Sequence, residues 1–190
     1  LPAKDHIGLD SLRKMTNFTS VKKVSIHNYA AAEIPDIIFR CKNLTSLEMI
    51  NTGITELPAR LDSLRNLQSV RICNPAVSKR IRLNKNARVK ILIIRSDNPG
   101  ILPRRYRGFS ALETLDLSRN SLRRFPNGAR RNRQLRELNL QHNHLTLNRK
   151  LRKHPFVEIL PLQYNEIERV PKSIRRFRNL KKLNFNYNHI

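Results

Sequence analysis

Apolar residues recur along this chain in a single register. From Val21 onward the first apolar position of each unit is Val21, Leu44, Leu67, Val89, Leu112, Leu135, Val157 and Leu180, so successive units are 22 or 23 residues apart. Three residues after each stands Val24, Leu47, Val70, Leu92, Leu115, Leu138, Leu160 or Leu183. Two further on comes Ile26, Met49, Ile72, Ile94, Leu117, Leu140, Leu162 or Phe185. The alternation around these two positions predicts a short strand with one face inward and the other to solvent. Equal units predict that each strand pairs with its equivalent in the next, as a parallel sheet. Parallel strands need a crossover, and the 11 or 12 residues after each strand supply it. In residues 59–66, Leu61 and Leu64 lie at helical spacing, so the crossovers are expected to be short helical segments. An apolar–Pro pair opens five of them: Ile34-Pro35, Leu57-Pro58, Leu102-Pro103, Phe125-Pro126 and Val170-Pro171.

The ninth position of the last four units holds Asn120, Asn143, Asn165 and Asn188. A buried Asn there can bond backbone groups of its own loop and of the next, which predicts a structural ladder where the chain turns. In the first four units the position holds Tyr29, Thr52, Pro75 and Asp97, so the C-terminal half reads as the more regular stack.

Residues 54–67 (Ile-Thr-Glu-Leu-Pro-Ala-Arg-Leu-Asp-Ser-Leu-Arg-Asn-Leu) and 111–120 (Ala-Leu-Glu-Thr-Leu-Asp-Leu-Ser-Arg-Asn) carry a recognisable pattern. It resembles the intracellular "Leu-Pro" type of leucine-rich-repeat protein, in the manner of bacterial repeat proteins and the Ras-suppressor-like group. The resemblance covers residues 21–190. It implies an α/β solenoid of about eight coils: a right-handed horseshoe with a parallel sheet on the concave face and short helical or irregular crossovers on the convex face. It also implies protein binding, with the partner read by variable residues on a constant scaffold. Residues 1–20 fit no full repeat and are expected to form an irregular or helical segment continuing a preceding repeat. The last repeat, from Leu180, is cut short, so the chain reads as an excerpt from a longer protein.

Composition narrows the picture. No run approaches the roughly 18 apolar residues of a membrane span. Cys41 and Cys73 cannot make a disulfide framework. Two glycosylation sequons, at Asn17 and Asn43, would matter only outside the cell, and the expected location is intracellular rather than secreted.

Charge changes the picture more. The chain has 38 Lys and Arg against 14 Asp and Glu, a formal net charge of +24. By repeat phase the exposed sheet positions carry nine basic residues and five acids, Glu48, Glu113, Asp116, Glu137 and Glu158. The crossovers before residue 70 are balanced. Those from residue 78 onward hold 22 basic residues and very few acids, Glu168 among them. Their clusters are Lys79, Arg80 and Arg82; Arg104, Arg105 and Arg107; Arg123 and Arg124; Arg130, Arg131 and Arg133; Arg149, Lys150, Arg152 and Lys153; and Arg175, Arg176 and Arg178. Solvated faces usually mix signs, so the run reads either as a solubilising surface or as a polyanion contact. The excess of Arg suits bidentate phosphate or carboxylate binding. Sparse aromatic interleaving disfavours base stacking on single strands.

Catalytic chemistry is hard to assemble from this sequence. Five glycines make no phosphate-cradling loop, and the histidines at 6, 27, 142, 144, 154 and 189 form no ligand set. Cys73 has no base nearby. Asp116 could meet Glu113 or Glu137 across adjacent strands, a pairing that reads as recognition rather than acid–base chemistry. No enzyme activity, cofactor or metal is expected. The expected function is a non-catalytic scaffold that grips a protein, acidic by charge balance, through Arg71, Arg95, Asp116, Arg119, Gln141, His142, Gln163, Tyr164, Asn186 and Tyr187. The alternative is a structural component of a ribonucleoprotein or similar assembly, docked to RNA through the Arg-rich crossovers of residues 78–182.

Overall fold

The computed structural model describes residues 7–74 and 78–190. Its elements are β1 (Ile7–Gly8), α1 (Leu9–Arg13), β2 (Lys23–His27), β3 (Ser46–Ile50), β4 (Glu56–Leu57), β5 (Ser69–Cys73), β6 (Arg82–Leu83), β7 (Ile91–Arg95), β8 (Thr114–Asp116), β9 (Glu137–Asn139), β10 (Ile159–Pro161) and β11 (Lys182–Asn184). Nine strands form one parallel sheet in the order β1-β2-β3-β5-β7-β8-β9-β10-β11, so each new coil adds its strand beside the last. β4 and β6 form a small second sheet.

Register follows the apolar columns. Val24 pairs with Leu47, Leu47 with Val70, Val70 with Leu92, Leu92 with Leu115, and Leu115 with Leu138. Leu160 pairs with Leu183. This column is fully buried through Leu160, whereas Leu183 on the last strand is 38% exposed. Between β9 and β10 the pairing is confined to Ile159 and Glu137. Pro161 explains the gap, because it has no amide to donate to the ladder. One strand lies outside the eight repeats read from the sequence: Ile7–Gly8 pairs with Val24 and Ser25, and α1 follows it at once.

The crossovers contain short 3-10 helices at Asp36–Arg40, Ala59–Ser63, Pro99–Ile101, Asn127–Ala129 and Lys172–Arg176. Pro35, Pro58, Pro126 and Pro171 stand immediately before four of them. Their fixed φ starts the turn without a lost amide bond. A 3-10 turn rises about 2.0 Å per residue against 1.5 Å in an α-helix, so it spans the crossover in fewer residues. Gly128 lets two crossovers touch, since a Cβ there would lie 2.5 Å from the carbonyl oxygen of Arg104.

Each coil is also tied to the next by asparagine. Asn143 accepts from the amides of Asn120 (3.1 Å) and Leu122 (3.0 Å) through Oδ1, and donates through Nδ2 to the carbonyls of Leu117, Leu140 and Gln141. Asn120, Asn165 and Asn188 make the equivalent bonds in their own coils. Pro75 lies outside the described residues, but Asn74 beside it is buried and bonds the Thr52 amide and hydroxyl.

Beneath the crossovers His154 is buried, stacked on Phe177 at 5.0 Å and edge-on to Phe125 at 5.2 Å. Burial pushes its imidazole below the ordinary histidine range, and the Arg130 charge adds to this against a bond to the Arg152 carbonyl. Such a histidine binds fewer protons folded than unfolded. Its contribution to stability is complete above the ordinary pKa of about 6.5 and is lost as pH falls from there through the folded value. Melting temperature should therefore drop between pH 7.5 and 5.5, and His154→Phe should make that drop smaller.

Candidate recognition surface

The sheet face divides into two parts. On the first three repeat strands, Ser25 Oγ lies 2.6 Å from His27 Nε2 and donates to Glu48 at 3.1 Å. Glu48 in turn holds Arg71 at 3.3 Å, and Arg71 Nε reaches Cys73 Sγ, also at 3.3 Å. Repeat phase placed Glu48 among exposed residues. It is instead buried, because Ser25 and Arg71 from the two flanking strands close over it. Arg71 is thereby a partner of Glu48 and Cys73, set apart from the other expected contact residues.

Further along, the charges of the sheet face neutralise one another across strands. Lys90 pairs with Glu113 at 3.0 Å, and Glu158 with both Lys181 (2.7 Å) and Arg136 (3.5 Å). The Lys181 hydrogen bond, then the charges of Lys181 and Arg136, hold the Glu158 carboxyl below its ordinary range against some desolvation. Asp116 does not form a carboxylate pair with Glu113 or Glu137: its register partner on β9 is Asn139, and it binds Arg95 at 3.5 Å and the Ser118 amide at 2.8 Å. Gln141 and Gln163 bond each other across the strands that follow.

The eighth repeat position has a geometry that phase alone does not reveal. Asn28, Asn51, Arg119, His142, Tyr164 and Tyr187 all adopt φ between 50° and 57°. Ser121 and Leu147 share that conformation elsewhere. The left-handed backbone turns a side chain out at the end of the strand in these six coils, whereas the equivalent Asn74 and Ser96 are buried. His142 stacks on Tyr164 at 4.3 Å and 7°, and Tyr164 on Tyr187 at 4.3 Å and 5°. Tyr164 is 42% and Tyr187 69% exposed. Desolvation in the stack, and then Tyr187, push the Tyr164 phenol upward. Arg119, His142 and Tyr164 border a shallow depression of about 390 Å³ shared with Asp97, Ser121 and His144. Asn186 lies exposed beside Tyr187. Of the expected contacts, Arg119, Gln141, His142, Gln163, Tyr164, Asn186 and Tyr187 thus lie along one edge of the sheet. Sequence reading missed Ser25, His27, Glu48 and Cys73 as a connected set; comparing the fifth and seventh repeat positions across coils would have brought them together.

On the crossover face two expected free cations are engaged: Arg82 pairs with Glu56 at 2.5 Å and Arg80 donates to the Gly100 carbonyl at 3.2 Å. Lys79 is exposed, as are the side chains at 104, 105, 107, 123, 124, 131, 133, 149, 150, 152, 153, 175 and 178. Arg130 and Arg176 are half-buried, and Arg176 donates to the Leu151 carbonyl. Among the described residues no group of three or more His, Cys, Asp or Glu could hold a metal ion. No helix among them is long and apolar enough to cross a membrane.

Residues 88–145 match the family model for the leucine-rich repeat. A solved leucine-rich-repeat protein of Leptospira interrogans aligns with a TM-score of 0.54 and 22% identity, covering 94% of this chain and 51% of that one. This chain therefore spans about half the length of that protein. An internalin of Listeria monocytogenes aligns with a TM-score of 0.47 and 14% identity over 95% of this chain and 58% of that one. No curated protein sequence gives a match. At 22% identity the likeness to the Leptospira protein is one of fold, and with the family match and the nine-strand parallel stack it defines the class. The chain carries leucine-rich repeats over residues 88–145 and has the fold of a leucine-rich-repeat solenoid.

Proposed function

We propose that this leucine-rich-repeat protein is a non-catalytic, intracellular scaffold of the Leu-Pro type that grips a protein partner along the edge of its sheet. The observation that carries this is the eighth-position column. Asn28 and Asn51 are residues that tolerate a left-handed backbone at little cost. Arg119, Tyr164 and Tyr187 occupy the same conformation, as does His142; for Arg and Tyr it is disfavoured, and strain of order 1–3 kcal/mol is stored at sites of function. Arg and Tyr are also the side chains that most often anchor interfaces. The flanking Arg95–Asp116 pair and the bonded Gln141 and Gln163 hold the neighbouring surface in fixed register.

Arg119→Asn with Tyr164→Asn tests this, because asparagine suits the backbone and leaves the fold intact. The double variant is expected to lose a protein partner captured by the wild type while its melting temperature stays the same or rises. A crossover variant, Arg131→Glu with Arg133→Glu, should keep that partner. Equal capture by the wild type and the double variant would refute the assignment.

A further inference from the structure

The two halves of the crossover face treat their charges differently. Toward the N terminus several of the cations have a counterpart: Arg60 pairs with Asp36 and lies over Phe39 at 4.2 Å, Arg40 lies over Phe18 at 4.3 Å, Arg82 pairs with Glu56, and Arg88 approaches Asp62 at 3.9 Å. From Arg104 to Arg178 the crossovers carry fourteen arginines and three lysines. Among the described residues none of these joins a carboxylate; Glu166, on the same side, is taken by His144 at 2.6 Å.

The unpaired cations line grooves between successive crossovers. One, of about 470 Å³, is bordered by Arg104, Arg105, Arg107, Arg130, Arg131 and Arg152 and by no acid. Its floor is set by the close approach of Gly128 to the Arg104 carbonyl. A second, of about 520 Å³, is bordered by Arg149, Lys150, Arg175 and Arg176, again without an acid. Like charges this close repel within a Debye length of roughly 8 Å, so a polyanion that replaces the missing carboxylates stabilises the fold as it binds.

We propose that this face, over the crossovers of residues 104–178, docks the phosphate backbone of double-stranded nucleic acid. Arginine predominates over lysine, and its planar fork matches phosphate oxygens. Of the aromatic rings in these crossovers, Tyr106, Phe109 and Phe177 are buried and Phe125 and Phe156 half-buried, so none is presented as an open platform for unstacked bases. Among the described residues Val170 is the only exposed large apolar residue on this face, too little to enter a lipid surface. Four coils at about 4.8 Å each span roughly 20 Å, a length over which a duplex presents on the order of ten phosphate charges. The contacts reach phosphates alone, so ribose and deoxyribose duplexes are equivalent ligands.

The test is fluorescence anisotropy with labelled duplex RNA, duplex DNA of the same sequence, and one of its single strands, from 50 to 200 mM KCl. Both duplexes should bind within a few-fold of each other and more tightly than the single strand. About six phosphate contacts give a log–log salt slope of about 5. Arg104→Glu, Arg105→Glu and Arg131→Glu together should lower that slope by about one per site, with no loss of melting temperature. The three Lys substitutions at the same positions should retain the slope and weaken affinity. Unchanged duplex binding by the Glu variant overturns the proposal. So does tighter binding to phosphatidylserine vesicles or polyglutamate than to either duplex.

Discussion

Leu138→Ala is expected to destabilise the protein by about 2–5 kcal/mol, the largest single-residue effect predicted for its core. Leu138 is fully buried and sits in register with Leu115 on one side. On the other side β10 adds its own buried Leu160. The cavity left by truncation opens onto two coil interfaces rather than one, and neither neighbour can move inward without breaking strand register. In a chain of this length each kcal/mol corresponds to about 2–4 °C in melting temperature. A thermal melt followed by circular dichroism reads the shift directly. Because coils are stabilised mainly by their neighbours, the loss should also broaden the transition, as the stack divides at β9. A Leu138→Ala protein melting within a degree of wild type would contradict the packing described.

Asn143→Leu, nearly equal in size, is expected to be destabilising for a different reason. Its Oδ1 receives the amides of Asn120 and Leu122, and its Nδ2 serves three carbonyls. Leucine fills the space and satisfies none of them. Each buried donor or acceptor left unpaired costs about 1–3 kcal/mol, so the total should reach several kcal/mol. Asn188→Leu, half-buried on the last coil, should cost less, because water can replace part of what is lost. The comparison of the two melts separates hydrogen-bond satisfaction from packing volume. Equal shifts would show that the ladder bonds contribute little.

The apolar columns were legible in the sequence because burial admits only one residue class at Val24, Leu47, Val70, Leu92, Leu115 and Leu138, every 22 or 23 residues. Partnerships across coils were harder to read. Glu48 looked exposed by phase and is buried, since its environment is made by Ser25 and Arg71, one coil away on either side. Asp116 was matched with other acids, yet register sets it opposite Asn139 and Arg95 reaches it from the previous strand. Counting charge by crossover likewise hid the Glu56–Arg82 pair, whose members are 26 residues apart. The left-handed eighth position is a backbone property that no side-chain class announces. Only Asn28 and Asn51 hinted at it, and His142, Tyr164 and Tyr187 obscured it.

The uneven distribution of paired and unpaired cations also makes the solenoid respond to electrolyte in opposite senses at its two ends. Asp36–Arg60, Glu56–Arg82 and Asp62–Arg88 clasp neighbouring coils near the N terminus, and dissolved ions loosen such clasps. The same ions shield the crowded arginines beyond residue 104 and let those coils settle more closely. Since a stack of repeats frays from whichever terminus is locally weaker, ionic strength tilts the choice of terminus from which unwinding begins.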